Sequence, residues 1–563
     1  MIPARKRFNS HKDIDPDEIF LDDKNIPKFD VHQFEGRMES PITSFTIWSL
    51  GIFFAVVGLL FVFRAGILQV KNGEFYIAKS EQNRLEHQLL FPERGIITDR
   101  DGTQLAWNVP STEDLGFSLR QYTATPGYGS ILGFLHYPAK DSSGIYFRSD
   151  YKAPVGIESY YNDALRGQAG LRILETDALG NVVSSNVIDP PIPGKNIALS
   201  IDDRLQSHLY GVIADIAHQE DYLGGAGAIM DIENGEILAM ASYPDFDPNV
   251  MTAGDDRKQI DAYNKDKGTP FLNRVIGGVF TPGSIVKPIF AIGALNEGVI
   301  TPEKKILSIG YITVPNPYIP GAVTRFNDWK NQGWVDMREA LAQSSDVYFY
   351  EIAGGFPGQK GLGIARVEKY ARLFGYGSTT GIDLTGEAVG TIPSPEWKAR
   401  VFPNDPTWRI GDSYFTGIGQ YGMQITVVQA LREAAIIASK GNVVQPHLYM
   451  SAATSSYRLD IPESYFTVAQ EGMRRAVTSA TAIAVNTPGV KIAAKTGTAE
   501  LGVTKVRVNS WVIGFFPYDH PRYAFAMVMD RGVKGNTTNA SYVAGKMFRW
   551  MASSTPEYFE VKN

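Results

Sequence analysis

A serine and a lysine placed one helical turn apart are the first residues of this 563-residue sequence that could carry out covalent chemistry. Ser284 and Lys287 lie in the segment TPGSIVKPIFAIGALNEG, residues 281–298. Apolar residues recur there at helical spacing, which predicts a buried helix over 284–297. Positions i and i+3 share one face of a helix, so the hydroxyl and the amine would be in reach of each other. A serine needs a base, and a lysine can act as one only when burial or a second cation favours its neutral form.

A second motif pairs a hydroxyl with a carboxylate. Ser344 and Asp346 are two residues apart in LAQSSDVYFYEIA, between helical patterns that together span 336–353. The simplest interpretation is a serine that caps a helix. In the functional interpretation, Asp346 lies next to a lysine. A nearby carboxylate favours the charged form of an amine and would raise the pKa of that lysine. From the sequence alone, Asp346 either orients Lys287 or pairs with Lys495.

A third motif, Lys495-Thr496-Gly497-Thr498, ends the apolar run KIAAKTGT. Glycine in a strand allows another backbone or a ligand to approach closely. The lysine and the two hydroxyls could hold a carboxylate. Taken alone, these residues fit an ordinary strand end better than a binding site.

The three motifs together are far more specific than any one of them. A Ser-x-x-Lys, a Ser-x-Asp and a Lys-Thr-Gly follow one another in this order, on a predicted helix, turn and strand. This set is typical of penicillin-recognising serine acyltransferases. None of the eight histidines lies within sixty residues of Ser284, which agrees with an enzyme in which lysine replaces histidine as the base.

Composition excludes several other kinds of site and partner. The absence of cysteine rules out disulfides, thiolate metal sites, iron–sulfur clusters and cysteine nucleophiles. The 54 basic and 60 acidic residues give a net charge of −6 without a long basic run, which argues against binding of nucleic acid. With 44 % hydrophobic and 20 % charged residues, the bulk of the chain is globular.

One segment differs from the rest. Residues 45–63, FTIWSLGIFFAVVGLLFVF, carry no charge and would form a helix roughly 28 Å long, close to the apolar thickness of a bilayer. A buried core helix rarely stays apolar on every face over such a length. A cleaved signal peptide would not follow 44 mostly polar residues. We expect a retained single-pass anchor, whose orientation the flanking basic residues do not determine.

The remaining chain divides by composition into four parts. Residues 1–44, rich in Asp, Lys and Pro, predict a disordered tail. Residues 64–195 carry short strand-like runs broken by Gly and Pro, which predicts an extended, mostly β pedestal module. Residues 196–552 have the pattern of a compact α+β domain, and residues 553–563 are left as a C-terminal tail.

Apolar runs at both ends of the α+β domain predict its sheet. GAGAIMDI and EILAMASY flank Glu233-Asn234-Gly235, and Asn-Gly between two such runs is a strong hairpin signal. Helical stretches follow, among them 425–439, before the strand-like runs KIAAKTGT, NSWVIGFFP and YAFAMVMDRG. We therefore expect one central antiparallel sheet that joins the two ends of the domain and is flanked by helices.

On these motifs the chain resembles the class B penicillin-binding proteins, and among them the elongation type. The resemblance runs from the anchor to about residue 550. Ser-Ser-Asp followed by VYFY is similar to the elongation type, because the division type usually has Asn in the third place. Four more segments carry the resemblance: ERGIITDRDG (93–102), GIESYYNDALRGQAG (156–170), DIENGEILAMASYPDFDPN (231–249) and FLNRVIGGVFTPGSIVKP (271–288).

The resemblance implies a penicillin-binding, β-lactamase-like transpeptidase domain that acts on stem peptides ending in D-Ala-D-Ala. By motif match, Ser284 attacks the penultimate carbonyl and expels D-Ala. Lys287 accepts the serine proton, and Ser344 relays a proton to the leaving amine. An amine of a neighbouring stem peptide then takes the acyl group, whereas a β-lactam mimics the substrate and leaves a stalled acyl-enzyme.

The resemblance also assigns the binding residues. Lys495 with Thr496 or Thr498 would bind the terminal carboxylate next to Gly497. The amides of Ser284 and Thr498 would form the oxyanion hole. No cofactor is implied. Some relatives carry a metal site that includes cysteine, and this chain has none, so no metal is expected.

The resemblance further implies a cellular setting. The short N-terminal tail would be cytoplasmic, the anchor would cross the cell membrane once, and the catalytic domain would be extracytoplasmic. A membrane-embedded SEDS-type glycosyltransferase would be the partner, in contact with the anchor and the pedestal.

The sequence departs from the family pattern at two positions. Tyr421 stands where the family commonly has Gly, and Val427 follows Thr426 where Pro is common. Arg274, ten residues before Ser284, is either a substrate contact or a surface charge, and we favour the surface charge.

Related activities remain as alternatives. A D,D-carboxypeptidase differs only in using water as the acceptor. A β-lactamase or a penicillin-sensing receptor is the other alternative, but a lactamase needs a base that activates water for deacylation, and none can be placed. An inactive wall-assembly scaffold would belong to a different class and would not need the full set of candidate catalytic residues.

Overall fold

The computed structural model describes residues 43–82, 85–111, 116–142, 146–176, 181–316 and 318–560. By its internal contacts the chain divides into two units, residues 1–86 with 175–183 and residues 87–174 with 184–563. The predicted disordered tail lies outside the described residues, except for Thr43 and Ser44. The predicted domain limits stay predictions.

One long apolar helix dominates the described part of the first unit. Helix α1 (Ser44–Gly66) is followed by a π-helical turn (Ile67–Lys71) and by α2 (Gly73–Gln82). The apolar segment predicted at 45–63 lies within α1. Among the described residues, the helical stretch 44–71 is the one long and apolar enough to cross a membrane.

In the described residues between 85 and 198, short strands and three short helices make up the pedestal. The strands are β1 (Leu85–Leu90), β2 (Ile97–Thr98), β3 (Gln104–Val109), β4 (Leu119–Tyr122), β5 (Ala139–Lys140), β6 (Tyr146–Arg148), β7 (Gly170–Thr176), β8 (Val182–Asp189) and β9 (Ile197–Ala198). The helices are α3 (Gly129–Leu132), α4 (Gly156–Tyr160) and α5 (Asn162–Leu165). The two larger sheets have the strand orders β4-β3-β2-β9 and β1-β7-β8.

A buried charge cluster, formed by Arg94, Arg120 and Glu158, ties the pedestal together. The Glu158 carboxylate on α4 accepts hydrogen bonds from Arg94 Nε at 2.6 Å and from Arg120 Nε at 2.7 Å. Arg94 Nη2 also donates to the main-chain oxygen of Glu158 at 3.0 Å, and Arg120 Nη1 donates to Asn108 Oδ1 at 3.0 Å. This Arg–Glu–Arg cluster thus links β3, β4, α4 and the segment before β2.

The rest of the second unit is an α+β domain. Its helices are α6 (Asp203–Gln219), α7 (Pro248–Ala253), α8 (Arg257–Lys265), α9 (Lys287–Asn296), α10 (Met337–Gln343), α11 (Asp346–Gly354), α12 (Ile364–Leu373), α13 (Pro395–Val401), α14 (Ile410–Gly417), α15 (Val427–Ala438), α16 (Glu463–Ser479) and α17 (Ala540–Ser554). Its strands are β10 (Gly224–Asp231), β11 (Ile237–Tyr243), β12 (Ile306–Ser308), β13 (Tyr311–Pro315), β14 (Val323–Asn327), β15 (Gly333–Val335), β16 (Asn442–Val444), β17 (Ser456–Arg458), β18 (Ala493–Leu501), β19 (Arg507–Phe516) and β20 (Tyr523–Val533). Three 3-10 turns span Gly283–Val286, Ile483–Val485 and Pro556–Tyr558.

Five antiparallel strands form the central sheet, in the order β11-β10-β20-β19-β18. The first and last strands of the domain therefore share one sheet, which confirms the prediction made from the apolar runs. Strands β10 and β11 form the predicted hairpin. Gly235 adopts φ 89° in its turn, a conformation open to glycine at no steric cost.

Alternate residues of the central strands face two separate helical layers. Val512 and Phe516 pack with side chains of α6 and α17 in one core cluster. Trp511 and Ile513 pack with side chains of α9 and α15 in the other. Because both faces of the sheet are covered, its strands are continuously apolar instead of alternating. Strand β18 lies at the edge of this sheet, next to the site described below.

A turn divides the helical stretch that the sequence predicts over 336–353. Helix α10 ends at Gln343, and Ser344 adopts the left-handed conformation with φ 56°. Ser345 then caps α11, since its Oγ accepts a hydrogen bond from Tyr348 N at 3.4 Å. The Ser-x-Asp motif therefore lies on a turn between two helices, as predicted, and the residue that caps the helix is Ser345.

Candidate active site

The candidate nucleophile, Ser284, lies on the 3-10 turn Gly283–Val286, which leads directly into α9. Gly283 adopts φ 59° and donates its N–H to Gly419 O at 3.0 Å. A Cβ atom at Gly283 would lie 2.8 Å from the main-chain oxygen of Thr498, so glycine is what allows β18 to come this close. The main chain at Ser284 is thereby held against β18, and the half-buried side chain lines a cleft.

Lys287, the first residue of α9, is fully buried. Its Nζ lies 2.6 Å from Asp346 Oδ1, 2.8 Å from Ser344 O and 3.3 Å from Ser344 Oγ. These contacts match the three hydrogens of an ammonium group. The ion pair of Asp346 is therefore with Lys287, which decides between the two partners that the sequence leaves open.

Ser344 connects the two lysines of the site. Its Oγ accepts a hydrogen bond from Lys495 Nζ at 2.9 Å and lies 3.3 Å from Lys287 Nζ. Lys495 is also fully buried, and its Nζ donates to Thr496 O at 2.8 Å. One hydroxyl on a turn thus bridges an amine on a helix and an amine on a strand.

Burial and neighbouring charges shift the pKa values of this cluster. Burial raises the pKa of the Asp346 carboxyl, and the nearby Asp328 raises it further, against the opposing effect of Lys287. Burial lowers the pKa of Lys495 well below its usual value, and the cation of Lys287 adds to that shift. The carboxylates of Asp346 and Glu433 oppose it. A carboxyl that is easier to protonate and an amine that is easier to deprotonate both lower the cost of moving a proton through the site.

Gly497 lets β18 pass directly beside the nucleophile turn. A Cβ atom at this position would lie 2.7 Å from Pro282 O and 3.0 Å from Ile285 Cγ2. Across the sheet, Gly497 is in register with Trp511, whose Nε1 donates to Thr281 O at 2.9 Å. The close approach predicted for Gly497 is therefore confirmed, and the group that approaches is the backbone before Ser284.

A cleft extends from Ser284 in two directions. One part has a volume of about 400 Å³ and is lined by many hydroxyl groups, those of Ser284, Ser344, Thr481, Thr496, Thr498, Ser510 and Ser541. The other part has a volume of about 650 Å³ and carries charged residues of both signs, Arg325, Asp328, Asp346, Glu500 and Lys505. Both volumes suit a bound peptide segment, and the hydroxyl-rich part suits an anion.

Several residues of the cleft carry no signal in the sequence. Trp329 lies between β14 and β15 and lines both parts of the cleft. Thr481 follows α16, and Asn539 caps α17. Each comes from a separate element and belongs to none of the three motifs, so residue spacing could not predict its place.

Arg274 is buried, so the prediction of a surface charge is wrong. It is 1 % exposed, its Nη1 donates to Thr269 O at 3.3 Å, and its Nη2 contacts Gly268 O and lies 3.1 Å from Thr269 Oγ1. These acceptors, which the sequence does not reveal, offset the cost of burying the guanidinium. Arg274 lines a separate cavity of about 380 Å³ and holds the loop at residues 268–269.

The two departures from the family pattern have structural explanations. Tyr421 adopts φ 59°, a conformation that costs a non-glycine residue about 1–2 kcal/mol. Its ring packs among three aromatic side chains, with centroid distances of 5.9 Å to Trp397, 6.5 Å to Phe402 and 5.7 Å to Trp408. Val427 is the first residue of α15, a position at which proline is also tolerated.

Among the described residues, no group of three or more His, Asp or Glu side chains could hold a metal ion. The cluster around Ser344 instead combines two amines with one carboxylate. That no metal is bound stays a prediction.

Two family models match the chain. Residues 225–551, more than half of the sequence, match the transpeptidase domain of penicillin-binding proteins. Residues 118–199 match the penicillin-binding protein dimerisation domain. The first match contains all three motifs of the cleft, and the second lies almost wholly within the pedestal.

Individual proteins resemble the chain over most of its length. Peptidoglycan D,D-transpeptidase MrdA of Escherichia coli K12 is 29 % identical over 512 residues, which cover 83 % of this chain and 77 % of that protein. The crystal structure of Pseudomonas aeruginosa PBP2 in complex with WCK 5153 is 29 % identical, with a TM-score of 0.67, and covers 84 % of this chain and 98 % of that one. A chain from a peptidoglycan synthase complex that coordinates polymerization and crosslinking is 26 % identical, with a TM-score of 0.70, and covers 92 % and 99 %.

Proposed function

The chain belongs to the penicillin-binding protein transpeptidases, as a class B member of the penicillin-binding protein 2 type, and from this premise we propose that it is a peptidoglycan D,D-transpeptidase of cell-wall elongation. It crosslinks stem peptides through a serine acyl-enzyme and releases D-Ala. The observation that carries the proposal is the contact of Ser344 Oγ with both Lys287 and Lys495, in the cleft that Ser284 lines.

Acylation begins with the attack of Ser284 Oγ on the carbonyl carbon of the penultimate D-Ala. The C–O bond to serine forms, and the C–N bond to the terminal D-Ala breaks. Lys287 takes the serine proton in its neutral form, which requires it first to lose a proton. Asp346, 2.6 Å away and with a pKa raised by burial, is the nearest group that can receive that proton.

The departing amine of D-Ala needs a proton. Ser344 Oγ is within hydrogen-bonding distance of both lysine amines, so it can pass a proton from either of them to the leaving group. The pKa of Lys495 is lowered by burial, which makes its proton easier to donate. A hydroxyl between two amines is suited to such a relay because it both donates and accepts.

The terminal carboxylate binds in the hydroxyl-rich part of the cleft, to Lys495, Thr496 and Thr498, with Gly497 leaving room for its backbone. The amides of Ser284 and Thr498 form the oxyanion hole, where one donor is worth about 3–4 kcal/mol. An amine from a neighbouring stem peptide then attacks the acyl-enzyme and takes the acyl group. A β-lactam occupies the D-Ala-D-Ala position and leaves a stable adduct on Ser284.

We extend the proposal to the cellular setting. Helix α1 anchors the protein in the cell membrane, with the short N-terminal tail in the cytoplasm and the catalytic domain outside it. A SEDS-type glycosyltransferase supplies the glycan strands and contacts the anchor and the pedestal. The likeness to a chain of a peptidoglycan synthase complex supports such a partner. Neither a cofactor nor a nucleic acid takes part.

Labelling with a fluorescent penicillin tests the acyl-enzyme directly. We expect the wild type to form a stable adduct and Ser284→Ala to form none. Ser207→Ala is the matched control, since its hydroxyl lies on α6 and bonds to Asp203 O at 2.7 Å, and it should label like the wild type. Rapid loss of the label would indicate a β-lactamase, and no labelling of the wild type would indicate a scaffold.

The acceptor is tested with nascent glycan in the presence and absence of a polymerase. A transpeptidase yields crosslinked stem peptides together with free D-Ala. Release of D-Ala without crosslinks under both conditions would instead identify a D,D-carboxypeptidase.

A further inference from the structure

Asp328, which belongs to none of the three motifs, holds the turn that carries Ser344 and Asp346. It follows β14, and its Oδ2 accepts hydrogen bonds from Ser345 Oγ at 3.0 Å and from Val347 N at 3.0 Å. These two contacts lie immediately before and after Asp346 in the chain. The carboxylate therefore holds the Ser345 side chain and the Val347 amide, which flank the residue that pairs with Lys287.

A small polar network keeps Asp328 in place. Ser308 Oγ donates to Asp328 Oδ2 at 3.2 Å. With its amide oriented to satisfy its neighbours, the side-chain nitrogen of Gln332 lies 2.7 Å from Ser345 Oγ, 2.8 Å from Ser308 Oγ and 3.0 Å from Asp328 Oδ2. Polar side chains from the end of β12, from the residue after β14 and from the residue before β15 thus meet at the first turn of α11. The helix dipole favours a negative charge there.

Through Trp329, the Asp328 carboxylate also stabilises the segment that precedes Ser344. Asp328 Oδ1 accepts from Trp329 N at 2.8 Å, and Trp329 Nε1 donates to Gln343 O at 3.2 Å. Gln343 directly precedes Ser344, whose φ of 56° is a strained conformation for serine. Such a conformation persists only where the surroundings hold it.

We propose that Asp328 is a positioning residue for proton transfer, which acts through Ser345, Val347 and Trp329 to hold Ser344 and Asp346 at the distances from Lys287 and Lys495 that the reaction needs. The inference rests on the proposed function and adds a residue to its machinery. The distances at stake are short, 2.6–3.3 Å between the amines and the turn, and a displacement of about 1 Å can cost about a hundredfold in rate.

The test is the kinetics of acylation by a fluorescent penicillin, with the binding constant separated from the rate constant of the chemical step. Asp328→Ala should lower the chemical rate constant about a hundredfold and change the binding constant much less, because the carboxylate-binding strand is not touched. Asp328→Asn keeps an acceptor oxygen for Ser345 and Val347. Its chemical rate constant should therefore be about tenfold higher than that of Asp328→Ala, which is half of the loss on a logarithmic scale.

Asp336→Ala is the matched control. This aspartate caps the neighbouring helix α10, accepting from Glu339 N at 2.9 Å, and touches neither the turn nor the cleft. It should lower the Tm, because a helix cap is lost, and keep an acylation rate like that of the wild type. A fall in rate that is equal in the two alanine variants would show a structural role only and overturn the proposal.

A second variant covers the case in which Asp328→Ala does not fold. Ser345→Ala removes one of the hydrogen bonds to Asp328 and should lower the chemical rate constant about five- to tenfold. An unchanged rate constant in Ser345→Ala and Asp328→Asn would contradict the proposal. If the wild type itself is not labelled, the proposed function fails and this inference falls with it. A labelled wild type with an equally fast Asp328→Ala variant rejects the positioning role alone.

Discussion

The pedestal and the active site each bury two basic side chains against one carboxylate. In the pedestal, Arg94 and Arg120 meet Glu158, at 2.6 and 2.7 Å. In the active site, Lys287 pairs with Asp346 at 2.6 Å, and Lys495 is joined to them through Ser344. The two clusters have the same formal composition, yet one of them is arranged to stay charged and the other, under the proposed function, exchanges protons.

The charge cluster of the pedestal is arranged to stay ionised. Burial alone would raise the pKa of Glu158, but Arg120 and Arg94 outweigh it and hold the pKa below its usual value. Guanidinium groups do not give up their protons in proteins, and each one binds through a planar fork of donors. The carboxylate is fully buried and bonded at both oxygens, so the cluster can only hold elements together.

The active-site cluster has opposite properties. Its cations are amines, a group that can give up its proton, and burial lowers the pKa of Lys495 well below the usual value. Its carboxyl, Asp346, has a pKa raised by burial and a side chain that is 19 % exposed to the cleft. From this difference we infer that the type of cation and the access to solvent separate a structural charge cluster from one suited to chemistry.

Removal of Lys287 should have the largest effect on the chemical cluster. We expect Lys287→Ala to lower the rate of acylation by a fluorescent penicillin about 10²–10⁴-fold, because the proposed general base is lost. Circular dichroism should show a folded protein, since Asp346 is open to the cleft and can be solvated. A variant that acylates at the normal rate would show that lysine is not the base.

Removal of the carboxylate in the pedestal should affect stability and leave the chemistry intact. Glu158→Gln leaves two buried guanidinium groups to share one acceptor oxygen, at an expected cost of about 3–5 kcal/mol in the free energy of unfolding. Urea unfolding followed by tryptophan fluorescence measures that loss, and the acylation rate of the folded variant should match the wild type.

Glu93→Gln is the control for Glu158→Gln. Its carboxylate is exposed and accepts from Ser118 Oγ at 2.6 Å, so its loss should change stability by less than about 1 kcal/mol. A slower acylation in folded Glu158→Gln, or a stability equal to that of Glu93→Gln, would contradict the division of roles between the two regions.

The smallest effect is expected from a pH series on Lys495→Met. A lysine with a lowered pKa binds fewer protons in the folded protein than in the unfolded chain, at every pH between the lowered value and the usual value near 10.4. Its contribution is therefore unfavourable in that window and lessens as the pH rises. We expect the free energy of unfolding of Lys495→Met to equal that of the wild type or to exceed it by up to about 2 kcal/mol at pH 7, and to depend less on pH.

Lys491→Met serves as the matched control in this series. Lys491 is exposed and lies 2.8 Å from Asp519, an ion pair of the surface type. Its variant should keep the slope of Tm against pH that the wild type has. Equal slopes for Lys495→Met and the wild type would mean that Lys495 is not the source of that dependence.

Much of the catalytic set was predictable from spacing within short segments. Ser284 and Lys287 are three residues apart, on a 3-10 turn and on the helix into which it leads, and Gly497 is two residues from Lys495 on one strand, so local geometry alone restricts their relation. The anchor was equally predictable, because the absence of charge over residues 45–63 is a local property. The hairpin at Gly235 follows from the same kind of short-range rule.

Other features depend on contacts between distant segments and escaped prediction. Arg274 looked like a surface charge because its acceptors, Gly268 and Thr269, are backbone and side-chain oxygens whose direction only the fold determines. The role proposed for Asp328 could not be predicted from the sequence for the same reason. Its contacts with Ser345 and Val347 join residues 17 and 19 positions apart, with β15 and α10 between them.

The sequence by itself determined the chemical groups, their local spacing, the strands of the central sheet and the apolar segment that forms α1. The tertiary structure decided which carboxylate pairs with which lysine, which arginines are buried, and which hydroxyl lies between the two amines. The reason is physical. Hydrophobic periodicity and turn preferences act over a few residues, whereas the protonation of a buried amine depends on desolvation and on charges brought to it from remote parts of the chain.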